Sequence, residues 1–515
     1  MSINEAPDIT TEAGELVTSL MLRPWGQVSP SVYETGRLVS LAPWLTGHLE
    51  RIEYLFDTQG PDGAWGAPDG YGMVPTLSAT EGILAALTRE DPGTDRERLT
   101  RAADRGLRVL TGWLSDPLDL PDMPAIEHIV PSLIDRINQH AEGLPDRAPI
   151  PLPASMSYDT LRMVRSRVKS GMEVPEKLLH ALEIATEAAA GAPGIRPTSI
   201  GSIGASPAAT AAWLGERGEH DAHEPAHGHL EAVARLYGGP VPVGLPITVF
   251  ERGWVLSWLL RAGVSIEVPP EMVADIRSAI GPAGTPAGPG LPADADTTSV
   301  ALYALALLDA PHEPDSLWGF RSGTHFSTWP GEQGVSVSVN AHVLEAFGEY
   351  IRRRPAAAPR YEETIAELAA WIRDQQQPDG SWTDRWHASP YYATASCSLA
   401  LEDFGGQAAR EPVLAAAAEW VLGTQRPDGS WGRWDGTAEE TAYAIQILLL
   451  TRGNTDPRRL RAVDRGHVYL SNSTGGDHPP LWHDKDLYVP RAVARAAVLA
   501  STHLIQRARA QAQAV

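Results

Sequence analysis

The heptapeptide Gln-x-x-Asp-Gly-x-Trp occurs three times in the chain, at Gln59 to Trp65 (QGPDGAW), Gln376 to Trp382 (QQPDGSW) and Gln425 to Trp431 (QRPDGSW). The segments before the second and third copies, YEETIAELAAWIRDQQ and EPVLAAAAEWVLGTQ, carry apolar residues at helical intervals. Pro-Asp-Gly then forces a turn, because Gly accepts positive φ and Pro cannot continue the helical ladder. A second helix follows each turn: YYATASCSLALEDF after the second copy and TAEETAYAIQILLL after the third. The repeating unit is therefore helix, Gln-ended turn, Trp, helix. The Gln amide is placed to bond the ends of neighbouring helices, with the Trp ring packed over it.

A helical hairpin cannot bury both of its faces alone, so such units must stack. TAYAIQILLL and VALYALALL are apolar nearly all round, as an inner ring of helices requires, and YEETIAELAAWIRDQ is charged on one side, as an outer ring requires. Two concentric rings make an α/α barrel, so the expected fold class is all-α. Sixteen Trp against six Phe is an unusual ratio, and because a buried Trp needs a partner for its N–H, where the Trp residues sit is informative. The N-terminal half is also helical by pattern, in GILAALTRE, LLHALEIATEAAA, SPAATAAWLGERG and VFERGWVLSWLLRAG. The Pro/Gly-rich stretch GPAGTPAGPGLPADAD reads as a boundary or a mobile loop.

The net charge of −22 disfavours nucleic acid and anionic membrane surfaces, whose phosphates it would repel. An anionic small substrate stays possible where local cations overcome the global field. The single Cys397 reads as a buried apolar residue. The N-terminus lacks a basic n-region and an apolar h-region, and the apolar runs are too short to span a bilayer, so a cytoplasmic protein is expected. His220, His223, His227 and His229 lie among Glu, Asp, Gly and Pro and read as a solvated loop.

Asp294-Ala-Asp296-Thr297-Thr298 opens the apolar helix that runs from Ser299 to Leu308. One Asp would serve as an N-cap. Two carboxylates at i and i+2 beside a helix with almost no polar face call for more. Protonating an alkene requires a neutral carboxylic acid in a dry cavity. The helix N-terminus favours the carboxylate, whereas desolvation and a second carboxylate oppose it, so that the pair shares a proton. Asp296 is assigned as the proton donor and Asp294 as its partner.

DADTT, with MPAIEHIVPSLID, PEKLLHALE, SIGASPAATAAWLG, VFERGWVL, SVSVNAHVLEAF, SPSVYETGRLV and LWHDKDLYVPRAV, resembles the class II terpene cyclases, in the same order and over nearly the whole chain. The family's acid motif is Asp-x-Asp-Asp, and its middle Asp donates the proton; Thr297 stands here at the last position. The resemblance implies two α-barrel domains, β and γ, with γ inserted into β. The division expected is residues 1–24 plus 275–515 for β, carrying the acid, and 25–274 for γ. It also implies a cyclisation that keeps the substrate's diphosphate. Asn340 matches the position that hydrogen-bonds the acid in relatives. Asp-x-Asp-Thr-Thr resembles the variant associated with drimenyl diphosphate formation from farnesyl diphosphate; the alternative is a diterpene cyclase that converts geranylgeranyl diphosphate to a copalyl-type diphosphate.

The diphosphate needs cations. The resemblance places a Mg²⁺-linked acidic stretch at Asp116, Asp119 and Asp122, with Glu127 as a further ligand, and makes Lys485 and Arg252 candidate basic contacts. Trp329, Trp386, Tyr391 and Tyr392 are the candidate aromatic faces for the carbocations. Two other readings are a zinc-dependent prenyltransferase subunit, for which Cys397 lacks the expected upstream Asp, and a non-catalytic isoprenoid binder, against which Asp294, Asp296 and Asn340 argue.

Overall fold

A computed structural model describes residues 8–115, 119–141, 149–215, 224–473 and 478–513. Two helical rings form the C-terminal domain. The inner ring runs through α10 (Thr248–Arg261), α12 (Ala295–Leu307), α13 (Val337–Arg353), α15 (Pro390–Phe404), α17 (Ala438–Leu450) and α19 (Arg491–Gln513); each packs on the next, and α19 closes back on α10. Outside lie α1 (Ile9–Leu22), α11 (Pro270–Ala279), α14 (Ala358–Asp374), α16 (Gln407–Gly423) and α18 (Pro457–Asn472). The inner helices are buried on nearly every face, as expected from their continuous apolar sequence.

The second domain repeats the plan on a smaller scale. Its inner ring is α2 (Val32–Leu41), α4 (Met73–Arg89), α6 (Ile126–Ala141), the 3-10 segment Glu176–Ala188 and α8 (Pro207–Leu214), which returns to α2. Its outer helices are α3 (His48–Asp57), α5 (Arg96–Trp113), α7 (Tyr158–Lys169) and α9 (Pro225–Tyr237). Helices α2 and α4 cross backbone to backbone at Gly36 and Gly82. A Cβ on Gly82 would lie 2.6 Å from the Gly36 carbonyl oxygen, so only Gly fits. Inner helices of both rings start alike: Ser31, Ser206, Asp294, Ser336 and Thr437 each cap the amide three residues on.

The three heptapeptides adopt one geometry. Gln59, Gln376 and Gln425 donate from Nε2 to the carbonyls of Gly63, Gly380 and Gly429 (2.8–3.0 Å) within their own turns. The same nitrogens donate to Ala102, Val413 and Ala462 (2.8–3.1 Å) on the next outer helix. The second contact falls in the second turn of that helix, not at its end. Trp65, Trp382 and Trp431 are buried, and each indole N–H donates to a carbonyl of the preceding helix, at Leu55, Ile372 and Val421 (2.7–2.9 Å). Each Trp amide is also held by a Thr hydroxyl of the following inner helix (2.9–3.0 Å).

Three expectations need correction. The expected domain division at residue 274/275 separates α10 from its ring, whereas α10 packs between α12 and α19 and so belongs to the β barrel. The Pro/Gly stretch is not a boundary but a packed loop within that barrel. The Ala287 carbonyl in this loop accepts from the amides of Val249 and Phe250 (3.0 and 3.3 Å) at the start of α10, and Thr285 pairs with Asp294. His227 and His229 do not lie in a solvated loop but on α9. His229 is buried beside Trp25 and pushed down to about 4 by burial, and His227 stacks on Trp44 at 5.0 Å. His220 and His223 lie outside the described residues.

Candidate active site

Asp294 occupies the N-cap of α12, where its Oδ1 accepts from the Thr297 amide at 2.6 Å. The carboxyl is buried and pushed up to about 7, chiefly by desolvation, with the Asp296 charge adding to the rise and the Thr297 bond opposing it. Asp296, in the first turn of the same helix, keeps part of its side chain accessible, and its Oδ1 lies 2.6 Å from Nδ1 of His342 on α13. Burial alone would lower the proton affinity of His342, but the Asp296 charge and hydrogen bond outweigh it and the net shift is upward. With a proton on Nδ1, His342 donates to Oδ1 of Asp296. Oδ2 is then the oxygen left to carry a transferable proton.

Asn340 does not touch the acid. Its Oδ1 accepts from the Phe326 amide (2.8 Å) and its Nδ2 donates to the carbonyls of Phe326 and Ser336 (2.9 and 2.7 Å). It ties the Arg321–Phe326 hairpin to α13, and His342, two residues on, takes the contact expected of it. Thr297 enters the acid site through both its backbone amide and its side chain, which hydrogen-bond the Asp294 carboxyl.

An aromatic cluster adjoins the acid. The Trp254 ring lies edge-on to His342 at 5.4 Å, and its Nε1 donates to the Tyr392 hydroxyl at 3.0 Å. Tyr392 stacks on His387 at 4.5 Å and meets Trp482 at 4.8 Å, Tyr443 at 5.5 Å and His342 at 6.3 Å. Phe250 stacks on Trp254 at 4.2 Å. Trp329 and Trp386 pair edge to face at 5.3 Å, and Trp386 donates from Nε1 to the Thr328 hydroxyl at 3.0 Å. Tyr391 turns away from the cluster and packs on Trp420 at 4.6 Å, because successive residues on a helix face different ways.

The expected diphosphate contacts are engaged elsewhere. Lys485 is buried with Nζ on the carboxylates of Glu34 and Glu183, the Ser206 hydroxyl and the His180 carbonyl, so it rivets the two domains together. Arg252 is buried and paired with Asp275 at 3.1 Å. Asp122 pairs with Arg385 at 2.9 Å, Asp119 is exposed, Glu127 points to solvent, and Asp116 lies outside the described residues. Among the described residues no group of three or more His, Cys, Asp or Glu side chains converges as a metal site would need. A Mg²⁺ ion on a diphosphate needs only one or two carboxylates beside the phosphates, and the exposed Asp119, Asp122 and Glu127 fit that role without forming a preassembled cage. Arg385, over Trp386, and Arg433, between Tyr71 and Trp434, are the cations at the rim where the domains meet.

A family model for the squalene-hopene cyclase C-terminal domain matches residues 333–485. The chain is 40% identical to an ent-copalyl diphosphate synthase of Streptomyces sp. (strain KO-3988), over 98% of each chain. It is 39% identical to the labda-7,13-dienyl diphosphate synthase of Streptomyces clavuligerus, over 97% of this chain and 94% of that one. The solved ent-copalyl diphosphate synthase from Streptomyces platensis matches with a TM-score of 0.92 at 44% identity, covering 97% of this chain and all of the other. The chain belongs to the copalyl diphosphate synthase family of class II terpene cyclases.

Sequence reasoning missed His342, Trp254, His387 and Trp482. The one available signal for His342 was its place two residues after Asn340 in the family-like segment SVSVNAHVLEAF. No helix among the described residues is long and apolar enough to cross a membrane.

Proposed function

We propose that this class II terpene cyclase takes a prenyl diphosphate, protonates its terminal alkene from Asp296, and closes two rings with the diphosphate retained. The observation that carries the reading is the contact between His342 and the accessible Asp296 beside the aromatic cluster. Transfer from Oδ2 to the terminal alkene carbon forms a C–H bond and leaves a tertiary cation. Neighbouring alkenes then attack in turn, and each attack moves the positive charge one ring onward. Loss of a ring-adjacent proton ends the sequence. The faces of Trp254, Tyr392 and Trp482 stabilise the migrating charge without offering a nucleophile.

The C20 alternative is the better supported substrate. The relatives named above make copalyl or labdadienyl diphosphates, and their similarity runs over nearly the whole chain. The Thr297 variant that pointed to farnesyl diphosphate has less behind it, because none of the relatives named above is a drimenyl diphosphate synthase. Incubation with geranylgeranyl or farnesyl diphosphate and Mg²⁺, followed by dephosphorylation and product analysis, tests this directly. A bicyclic C20 alcohol is expected, and exclusive turnover of the C15 substrate would reverse the assignment.

A further inference from the structure

Two glutamates stand side by side at the start of α17, and their surroundings differ. Glu440 serves the fold: its Oε1 accepts from the Arg433 amide at 2.8 Å and its Oε2 from the Thr437 hydroxyl at 2.9 Å. Glu439 is fully buried, and its Oε1 accepts from both Trp482 Nε1 and the Tyr443 hydroxyl, each at 2.8 Å. Its Oε2 is buried with no hydrogen-bond partner. Leaving a buried carboxylate oxygen bare is costly, and the cap that α17 needs is already made by Thr437.

The nearest imidazole is that of His387, whose Nε2 lies 3.7 Å from Glu439 Oε1. The Ser389 amide donates to His387 Nδ1 at 3.0 Å, so the ring's proton resides on Nε2, facing the carboxylate. Burial raises the proton affinity of Glu439, but His387 and Trp482 outweigh it and hold the group below the usual carboxylate range, so it is an anion at neutral pH. The rings around this anion are those of the acid's aromatic cluster: Trp482, Tyr443 and His387 all touch Tyr392, which meets His342. Acid and anion thus adjoin one aromatic surface.

We infer that Glu439 is the residue that ends the cyclisation, its free Oε2 taking the proton from the carbon next to the last cation. The C–H bond breaks, its electron pair becomes the new double bond, and the proton becomes the carboxylic hydrogen of Glu439. One proton enters from Asp296 and one leaves to Glu439, so the product is an isomer of the substrate and no co-reactant is consumed. Until then the carboxylate also favours positive charge at its end of the cluster. His387 is a positioning residue that holds Oε1 in place. The inference rests on the cyclase reading above.

The test is E439Q, which keeps an acceptor for Trp482 and Tyr443 and removes the base. General-base catalysis of this kind contributes ~10²–10⁴-fold, so the wild-type olefin should fall by at least about tenfold relative to substrate consumed. Water-captured bicyclic alcohols or double-bond isomers should replace it. Wild-type product at wild-type kcat would overturn the inference. Should E439Q fail to fold, E439D withdraws the carboxylate by one methylene and the same product ratio is read: a shifted ratio supports the inference, and an unchanged ratio and rate overturn it. D296N separates the two proposals, since continued turnover by D296N would sink the acid assignment and leave the E439Q outcome standing by itself.

Discussion

His342 and Asp296 meet across the seam of α12 and α13, with Nδ1 2.6 Å from Oδ1. The bond fixes which carboxyl oxygen is free. It also stabilises the anion that remains once the proton has gone, so it lowers the barrier on the product side of the transfer. Behind His342 lies a cavity of about 20 Å³, room for roughly one water centre, lined by Trp254, Ser257, Arg261, Tyr303, Glu345 and Ser396 among others. Arg261 and Glu345 in that lining form an ion pair at 2.5 Å.

Replacing Asp296 by Asn should therefore abolish turnover, and replacing His342 by Phe should lower kcat by ~10²-fold with little change in KM, since the interaction is realised mainly during proton transfer. Steady-state kinetics on the two variants check this. A His342→Phe enzyme with wild-type kcat would show that the contact is structural only.

The acid pair also sets the pH dependence. Asp294 is pushed up to about 7 and His342 is raised as well, and both lose their protons as pH rises. The rate should be level below about pH 6 and fall above about pH 7, as Asp294 gives up its proton. Asp294→Asn removes the carboxyl that is pushed up to about 7, so that fall should be lost. The same variant reports on stability. A carboxyl whose folded proton affinity exceeds its unfolded one contributes stability at low pH and loses it as pH rises from about 4 to about 7. Asn retains the cap, so Asp294→Asn should match wild type near pH 4 and exceed it at pH 8 by ~1–3 kcal/mol in urea unfolding.

How much of this was legible depended on sequence separation. The helix–turn–Trp units and the helix that opens at Asp294 are local patterns, and these helices and turns form where they were read. Partners far along the chain were not readable. His342 lies 46 residues from Asp296, and nothing in SVNAHVL says that the His, not the Asn, reaches the acid. Lys485, flanked by two Asp, looked like an exposed cation able to meet a diphosphate. One of its carboxylate partners, Glu183, is 302 residues away. The Pro/Gly stretch looked like a break because its packing against α10 leaves no periodic trace.

The repeat units carry a stability prediction. In the second copy Gln376 bridges its own turn and α16, and Trp382 is fully buried with its N–H satisfied. Gln376→Ala leaves the Val413 carbonyl without that donor and should cost ~1–3 kcal/mol; Trp382→Ala should cost ~3–5 kcal/mol through the cavity it opens. Differential scanning calorimetry checks both, and because the residues lie away from the acid, soluble enzyme should keep its product profile.

The domain junction gives the sharpest case. Lys485 reaches from the turn between Trp482–His483 and Leu487–Tyr488 into the γ ring, where Glu34 and Glu183 surround it. The carboxyl of Glu34 is raised to about 7, mainly by desolvation and against the pull of Lys485, so the lysine is what makes two buried carboxylates tolerable. Lys485→Met removes the cation and leaves them facing each other, which should cost ~3–5 kcal/mol in urea unfolding. Glu34→Gln and Glu183→Gln added to that background should restore a large part of the loss, because the uncompensated charge is what destabilises. Trp482 sits on the same hairpin and donates to Glu439, so loosening the rivet should also blur the product profile. Should Lys485→Met unfold at the wild-type urea concentration, the buried pair would have to be neutral already and the rivet would contribute nothing.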